Sequence, residues 1–262
     1  MFCTLRLKKS VLVTVAVFVA ALLLALPFLV EALRRAEQPA RETSAAGTTA
    51  APRTVYLTFD DGPSANTAAL LDVLAARNVK ATFFVTGQNP DVFDEAVGRA
   101  HDEGHLIALH TYSHDFSDIY SSTDAFWADI GKLSDMVSNA ADGHVSAYLR
   151  FPGGSSNTVS HRYGGSGIMK TLIDQCAERG IIYCDWNVDT QDAVGGSKSA
   201  DAIVSRALKQ AEGKDNIVIL MHDGGMNKTA AEATDRLIAE FEAIGCVFDT
   251  LDHLAEPVHH HL

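Results

Sequence analysis

The sequence predicts an α/β protein whose parallel strands curl into a barrel-like ring of about seven β/α units, preceded by one amino-terminal transmembrane helix. Three observations carry this. From Thr54 onward, short apolar, β-branched or aromatic runs alternate with longer amphipathic stretches, the pattern of parallel strands joined by crossover helices. Asp60-Asp61, His110, Arg150, Asp189 and His222 fall at or just beyond the carboxyl ends of five of those runs, and residues from so many strands converge more readily on the end of a ring than along an open sheet. Ahead of the domain, Val11–Val30 is an apolar run without charges, about 20 residues and so about 30 Å as a helix, enough to span a bilayer core.

The amino-terminal segment divides into a short cytoplasmic tail (1–10), the span (11–30) and a flexible linker (31–53). Arg6, Lys8 and Lys9 precede the span, while Arg34 and Arg35 follow it among Glu31 and Glu37, a bias that modestly favours the amino terminus inside. No small-residue cleavage site follows the run, so it reads as an uncleaved signal anchor with the domain extracytoplasmic. Ala36–Pro52 holds almost nothing to bury and reads as a disordered linker. Residues 1–53 carry seven Lys or Arg against three Asp or Glu, and subtracting that +4 from the formal −12 leaves −16 on the remainder. A domain this acidic is a poor nucleic-acid partner, and no feature points to a protein partner.

The expected strands are Val55–Thr58, Ala81–Thr86, Leu106–Leu109, Ala147–Phe151, Ile181–Asp185, Ile217–Met221 and Cys246–Thr250, with helices near Ala65–Ala76, Asp91–Glu103, Thr123–Asn139, Gly167–Arg179, Ser199–Glu212 and Lys228–Ile244. Asn78, Gly104, Gly180 and Gly245 sit where helix stops belong. The domain runs over 54–254, and 255–262 forms a tail whose His259-His260-His261 is excluded from the site. Cys176, Cys184 and Cys246 have no metal-site spacing and read as small buried residues without a disulfide.

Five elements carry chemistry. Thr58-Phe59-Asp60-Asp61-Gly62-Pro63 places two carboxylates at a strand end, where such a pair is costly without a cation, although alone it reads more simply as an Asx-type turn. His110-Thr111-Tyr112-Ser113-His114 sets two histidines four apart. That spacing is weak by itself, but Asp61 is a natural third ligand, and two histidines with one carboxylate form the open set of hydrolytic zinc. Arg150-Phe151-Pro152-Gly153-Gly154 joins a cation at a strand end to a loop whose amides can approach a ligand closely. Asp185-Trp186-Asn187-Val188-Asp189-Thr190-Gln191-Asp192 clusters carboxylates around an aromatic ring. Finally, Val218-Ile219-Leu220-Met221-His222-Asp223 is a buried run delivering one histidine at its end. A turn, a solvated loop or a capped core histidine would explain any one of these singly.

Jointly, from about Arg53 to Leu254, they resemble the polysaccharide deacetylases, carbohydrate esterase family 4, in order and each at a strand end. The resemblance implies a distorted (β/α)7-type barrel. It implies that Asp61, His110 and His114 hold a divalent metal, usually zinc, with cobalt, nickel or manganese as alternatives. By the same match Asp60 is the general base, kept ionised by Arg150, and His222 the general acid, oriented by Asp192. Gly153 offers its amide to the oxyanion, Leu220 lines the acetyl pocket, and Asp189 supports the fourth motif.

Many family members carry Trp directly after the second acid of that motif, where this chain has Ala193. One wall of the groove is therefore expected from Trp186, Phe151 or Tyr163 instead. The polar loop Ser155–Gly165 looks like that of bacterial members acting on cell-wall glycans. The implied activity is removal of N-acetyl groups from N-acetylglucosamine residues of an extracytoplasmic polysaccharide, most simply peptidoglycan. The alternatives are an O-acetyl esterase on xylan or another acetylated glycan, and an inactive membrane-tethered glycan-binding module, against which stands the joint presence of base, acid, ligands and Arg.

Overall fold

The computed structural model describes residues 52–196 and 198–261. The expected span at 11–30 lies outside these residues, as do the tail before it and nearly all of the linker. Among the described residues no helix is long and apolar enough to cross a membrane.

Strands β1 (Thr54–Asp60), β2 (Thr82–Val85), β3 (Leu106–Leu109), β4 (Tyr148–Leu149), β5 (Ile182–Tyr183), β6 (Val188–Asp189), β7 (Asn216–His222) and β8 (Val247–Phe248) form one parallel sheet. The helices are α1 (Thr67–Arg77), α2 (Pro90–Asp102), α3 (Phe116–Ile119), α4 (Thr123–Ala140), α5 (His161–Gly164), α6 (Ile168–Arg179), α7 (Ala200–Gln210) and α8 (Ala230–Ala243). The expected stops hold: Asn78 and Gly180 cap their helices in the left-handed region, and Gly104 and Gly245 have φ of 82° and 79°. Ser122 and Ser199 start α4 and α7 by accepting the amides of Ala125 and Ala202, satisfying donors that the first turn leaves free.

The expected distorted barrel is present as a half-barrel, and the distortion has a definite place. The strand order is β5-β4-β3-β2-β1-β7-β6, open between β5 and β6. These two derive from one extended stretch that changes neighbours: Cys184 N–H donates to Leu149 on β4, whereas Asn187 N–H donates to Val218 on β7. No crossover helix fits between Tyr183 and Val188, so the two cannot pair as parallel neighbours. The ring is therefore a half-barrel split along one side. β8, expected as its last member, instead pairs only with Thr54 and Val55, on the edge of β1 whose far end is taken by β2.

Alternation along each strand sorts side chains between two layers. Val55, Leu57 and Phe59 of β1, Phe83 and Val85 of β2, and Ile217, Ile219 and Met221 of β7 join the core beneath the helices. The intervening Tyr56, Phe84 and Val218 fill the concave side with Ala108, Cys184, Leu251 and Leu254. On that concave side the same parity carries Thr58 and Asp60 up β1 and His222 to the top of β7, where Asp60 and His222 are register partners.

His105 supports β2 from below. Its Nδ1 accepts the Ala81 N–H at 3.1 Å, which fixes the neutral tautomer. Burial, with help from Lys80, lowers its pKa from 6.5 to about 4 against the opposing pull of Glu103. Below pH 6.5 the unfolded chain takes up a proton that the folded state refuses, so this contribution to stability is present above pH 6.5 and lost as pH falls towards 4, a difference of up to about 3 kcal/mol. Chemical denaturation between pH 7 and pH 4 should show that slope in the unaltered protein and a shallower one in His105→Gln; equal slopes would refute the assignment.

Candidate active site

β1 delivers Asp60 to the concave face, and the chain then turns sharply at Asp61, φ 70°. The turn has no room for a side chain at Gly62, where a Cβ would lie 2.2 Å from Asp223 Oδ1. Asp223 holds the turn from β7: its amide donates to the Asp60 carbonyl (3.1 Å), its carbonyl accepts Ser64 Oγ (2.5 Å), and its Oδ2 accepts Thr67 Oγ1 (2.5 Å).

The loop after β3 also contains left-handed residues, Thr111 (φ 75°) and His114 (φ 52°). Asp129 of α4 holds it there, accepting the amide of Tyr112 at 2.5 Å and that of Ser113 at 3.3 and 3.2 Å. His110 Nδ1 donates to the Arg150 carbonyl at 2.8 Å, leaving Nε2 as a lone-pair donor, the usual tautomeric arrangement of a ligating histidine. Burial, then the neighbouring His114, lowers the His110 pKa to about 3, so the ring stays neutral.

Asp61 Oδ1 lies 3.3 Å from His114 Nε2 and 3.6 Å from His110 Nε2, and one ligand atom from each residue falls within 4.8 Å of the others. Bonds of about 2.0–2.1 Å in a tetrahedral array place ligand atoms about 3.4 Å apart. The three residues fit a divalent ion, and two imidazoles with one carboxylate suit several metals of the first transition row.

Arg150 is wholly buried. Its Nη1 donates to Thr58 Oγ1 (2.7 Å) and Asp60 Oδ1 (2.8 Å), Nε to the Cys184 carbonyl (2.9 Å), and Nη2 to the Asp185 carbonyl (2.9 Å). The guanidinium carbon sits 4.0 Å from the Phe84 ring centroid, a cation–π contact. Burial raises the Asp60 pKa while Arg150 and His222 oppose that rise, giving a carboxylate more basic than an exposed one.

On the other side of the site, the turn after β6 is shaped by Asp189, whose Oδ1 accepts the Gln191 amide at 2.8 Å, with Gln191 at φ 55°. Asp192 then receives His222 twice: the amide donates to Oδ2 and Nδ1 lies against Oδ1, both at 2.8 Å. Burial alone would lower the His222 pKa, but the hydrogen bond and charge of Asp192, aided by Asp60 and Asp61, push it up to about 9. His222 is thus cationic at neutral pH.

Gly153 is exposed at φ 78° and Gly154 follows at φ 81°, a conformation that places a bare backbone beside the site. Tyr120 Oη anchors this loop at the Pro152 carbonyl (2.8 Å). One of the expected groove residues is elsewhere. Phe151 is 1% exposed, turned by strand parity towards Phe126 and Tyr183 in the outer core, so it cannot touch a glycan. Trp186 is half-buried and packs on the concave-side cluster, with its ring edge against Gly154. Tyr163, on α5, is exposed. Leu220 is 5% exposed. Beside Asp61 and Asp192, a cavity of about 310 Å³ runs between Gln88, Asn89, Ala193 and Met226.

Asp60, Asp61, His110, His114, Arg150, Asp192 and His222 are thus brought together as expected. Thr58, Asp129 and Asp223 were missed: a threonine inside a strand, an acid in a helix interior and an acid after a named histidine carry no distinctive pattern.

A family model described as polysaccharide deacetylase matches residues 47–165. The chain is 32% identical over 210 residues to YheN of Bacillus subtilis, which bears the polysaccharide deacetylase name, covering 79% of this chain and 70% of that protein. It is 33% identical over 201 residues to a peptidoglycan-N-acetylglucosamine deacetylase of Bacillus cereus, covering 75% and 66%. Among solved structures, the catalytic domain of a peptidoglycan N-acetylglucosamine deacetylase from Eubacterium rectale superposes with a TM-score of 0.77 at 36% identity, covering 84% of this chain and 97% of that one.

The hold of Asp129 on the histidine loop is open to test. Asp129→Ala should weaken binding of an added divalent metal by about tenfold to a hundredfold, the range for residues that orient metal ligands, measured by titration against a chromogenic chelator. Unchanged affinity would show that the loop holds its shape without Asp129.

Proposed function

Since the chain belongs to the polysaccharide deacetylases, hydrolases of carbohydrate esterase family 4, we propose that it removes N-acetyl groups from N-acetylglucosamine residues of peptidoglycan, using zinc, from an extracytoplasmic position on a membrane anchor at 11–30. One observation carries the chemistry: a buried carboxylate paired with Arg150 and an imidazolium paired with Asp192 flank the Asp61, His110 and His114 group. The peptidoglycan assignment draws on the named relatives, of which the chain spans about two thirds in the Bacillus cereus case.

A divalent ion bound by Asp61, His110 and His114 would supply a Lewis acid that polarises the acetyl carbonyl and makes water a better nucleophile. Asp60, with one oxygen held by Arg150, accepts a proton from the attacking water on its other oxygen. As the carbonyl carbon becomes tetrahedral, the Gly153 amide donates to the developing oxyanion. His222, charged at neutral pH and presenting Nε2 because Nδ1 is held by Asp192, protonates the sugar nitrogen as the C–N bond breaks. The carboxylic acid released passes its proton to the freed amine, so acetate and the sugar ammonium leave, and the proton on Asp60 returns His222 to its charged form.

Acetate release from chitotetraose and from peptidoglycan, with zinc and with chelator, tests the reading. Chelator-sensitive release from either supports an N-deacetylase; release only from acetylated xylan would replace it with the O-esterase, and no release by folded, metal-loaded protein with the binding module. Asp60→Asn should lower kcat by about 10²–10⁴-fold with metal retained, whereas His110→Ala should lose both metal and turnover. Activity should fall as pH rises through the raised His222 pKa. In Asp192→Asn that pKa drops, so the basic limb should move to lower pH by at least about one unit; an unmoved limb would remove His222 as the acid.

A further inference from the structure

We infer that the carboxy-terminal segment Glu256–His261 is a working part of the active site, with His260 a positioning residue that holds the Gly153–Ser155 loop through Asp185. Its kinetic consequence rests on the deacetylase reading above; its structural consequence does not.

The contacts form a relay. The Val258 carbonyl accepts the Asp185 amide at 2.7 Å, and the His260 amide donates to Asp185 Oδ2 at 2.8 Å. The same carboxylate takes the Ser155 amide on Oδ1 (2.8 Å) and the Ser155 hydroxyl on Oδ2 (2.5 Å). Asp185 is 1% exposed, and a carboxylate buried to that extent depends on its donors to stay in place. Its own carbonyl, at the next link, accepts Arg150 Nη2. The His260 ring meets Trp186 edge to face at 4.7 Å, and its Nε2 lies 2.8 Å from the Trp186 carbonyl. Trp186 in turn backs Gly154, where an added Cβ would lie 3.0 Å from the indole. His259 stacks on Tyr183 at 3.9 Å. The segment thereby covers the split between β5 and β6, on the side where Gly153 stands.

The loop needs such a hold because Gly153 and Gly154 are both left-handed and belong to no strand or helix. A donor that acts on the oxyanion contributes to the transition state and little to substrate binding, so a slackened loop lowers kcat while leaving KM alone. A tail that merely stabilised the fold would instead lower the melting temperature and leave kcat per folded molecule intact.

The test compares the full chain with a form ending at Glu256 and with His260→Pro, which removes the His260 amide donor together with its ring contacts to Trp186 and keeps the other residues of the segment. Each is assayed on chitotetraose below its melting temperature, with zinc content measured, and followed by hydrogen exchange over residues 152–157. For the shortened form the expected result is a kcat at least about tenfold lower, KM within twofold, zinc unchanged, and lost protection of the Ser155 amide; His260→Pro should fall between it and the full chain. Unchanged kcat and protection in a folded variant would overturn the inference, as would a rise in KM alone. If the full chain releases no acetate, the deacetylase reading fails, and exchange at Ser155 decides the positioning role by itself. Should the shortened form not fold, His260→Pro decides on the same readouts.

Discussion

The buried guanidinium of Arg150 is the interaction on which the site depends. An unpaired cation there would be prohibitively costly, and Arg150 is accommodated because its donors reach Thr58, Asp60, Cys184 and Asp185 while its face lies on Phe84. Those partners come from β1, β2 and the stretch that crosses from β5 to β6. Its own carbonyl orients His110. One residue directly after β4 therefore sets the base, fixes the tautomer of a metal-ligating histidine and ties down the split in the ring. Removing one partner of such a buried pair typically costs about 3–5 kcal/mol, because the other charge stays behind.

The convergence has a backbone cost as well. Of the six non-glycine residues with positive φ among those described, Asp61, Thr111, His114 and Gln191 lie in the loops that present the site, while Asn78 and Asp142 follow helices. Each such conformation costs on the order of 1–3 kcal/mol. Each is held by identifiable partners: Asp223 at the Asp61 turn, Asp129 at the histidine loop, Asp189 at Gln191. The strain lets short loops leave parallel strands and still point ligands and bases at one another, and carboxylates retain it, from neighbouring elements at Asp61 and the histidine loop and from the preceding strand end at Gln191.

The legible parts of the molecule were those where one segment carries its own signal. β1, β3 and β7 are built on continuous apolar runs (Val55–Leu57, Leu106–Leu109 and Ile217–Met221), helix ends are marked by Asn78 and Gly180, and the motif order places Asp60, Asp61, His110, His114 and His222 at strand ends. What stayed hidden depends on neighbours. Phe151 and Arg150 are adjacent, and only the concavity of the sheet decides which of them faces the site. The change of partner between Cys184 and Asn187 leaves no trace in composition, so one strand was expected where the backbone makes two short pairings. His260 reads as a surface tail because its role lies in where residue 185 sits.

Charge balance links these pieces to the chemistry. Asp60, Asp61 and Asp192 bring three negative charges to one end of the half-barrel, and Arg150 and the imidazolium of His222 return two. Asp223, whose pKa burial raises to about 7, is partly relieved of adding a fourth. The remaining single negative charge repels both a hydroxide-like nucleophile and an oxyanion, and at low effective dielectric that repulsion is large. A divalent ion on Asp61, His110 and His114 would reverse the sign, leaving one positive charge against the one negative charge that develops on the carbonyl oxygen. A protein that is acidic overall can then stabilise an anion locally, because its carboxylates near the reacting atoms are each matched to a cation.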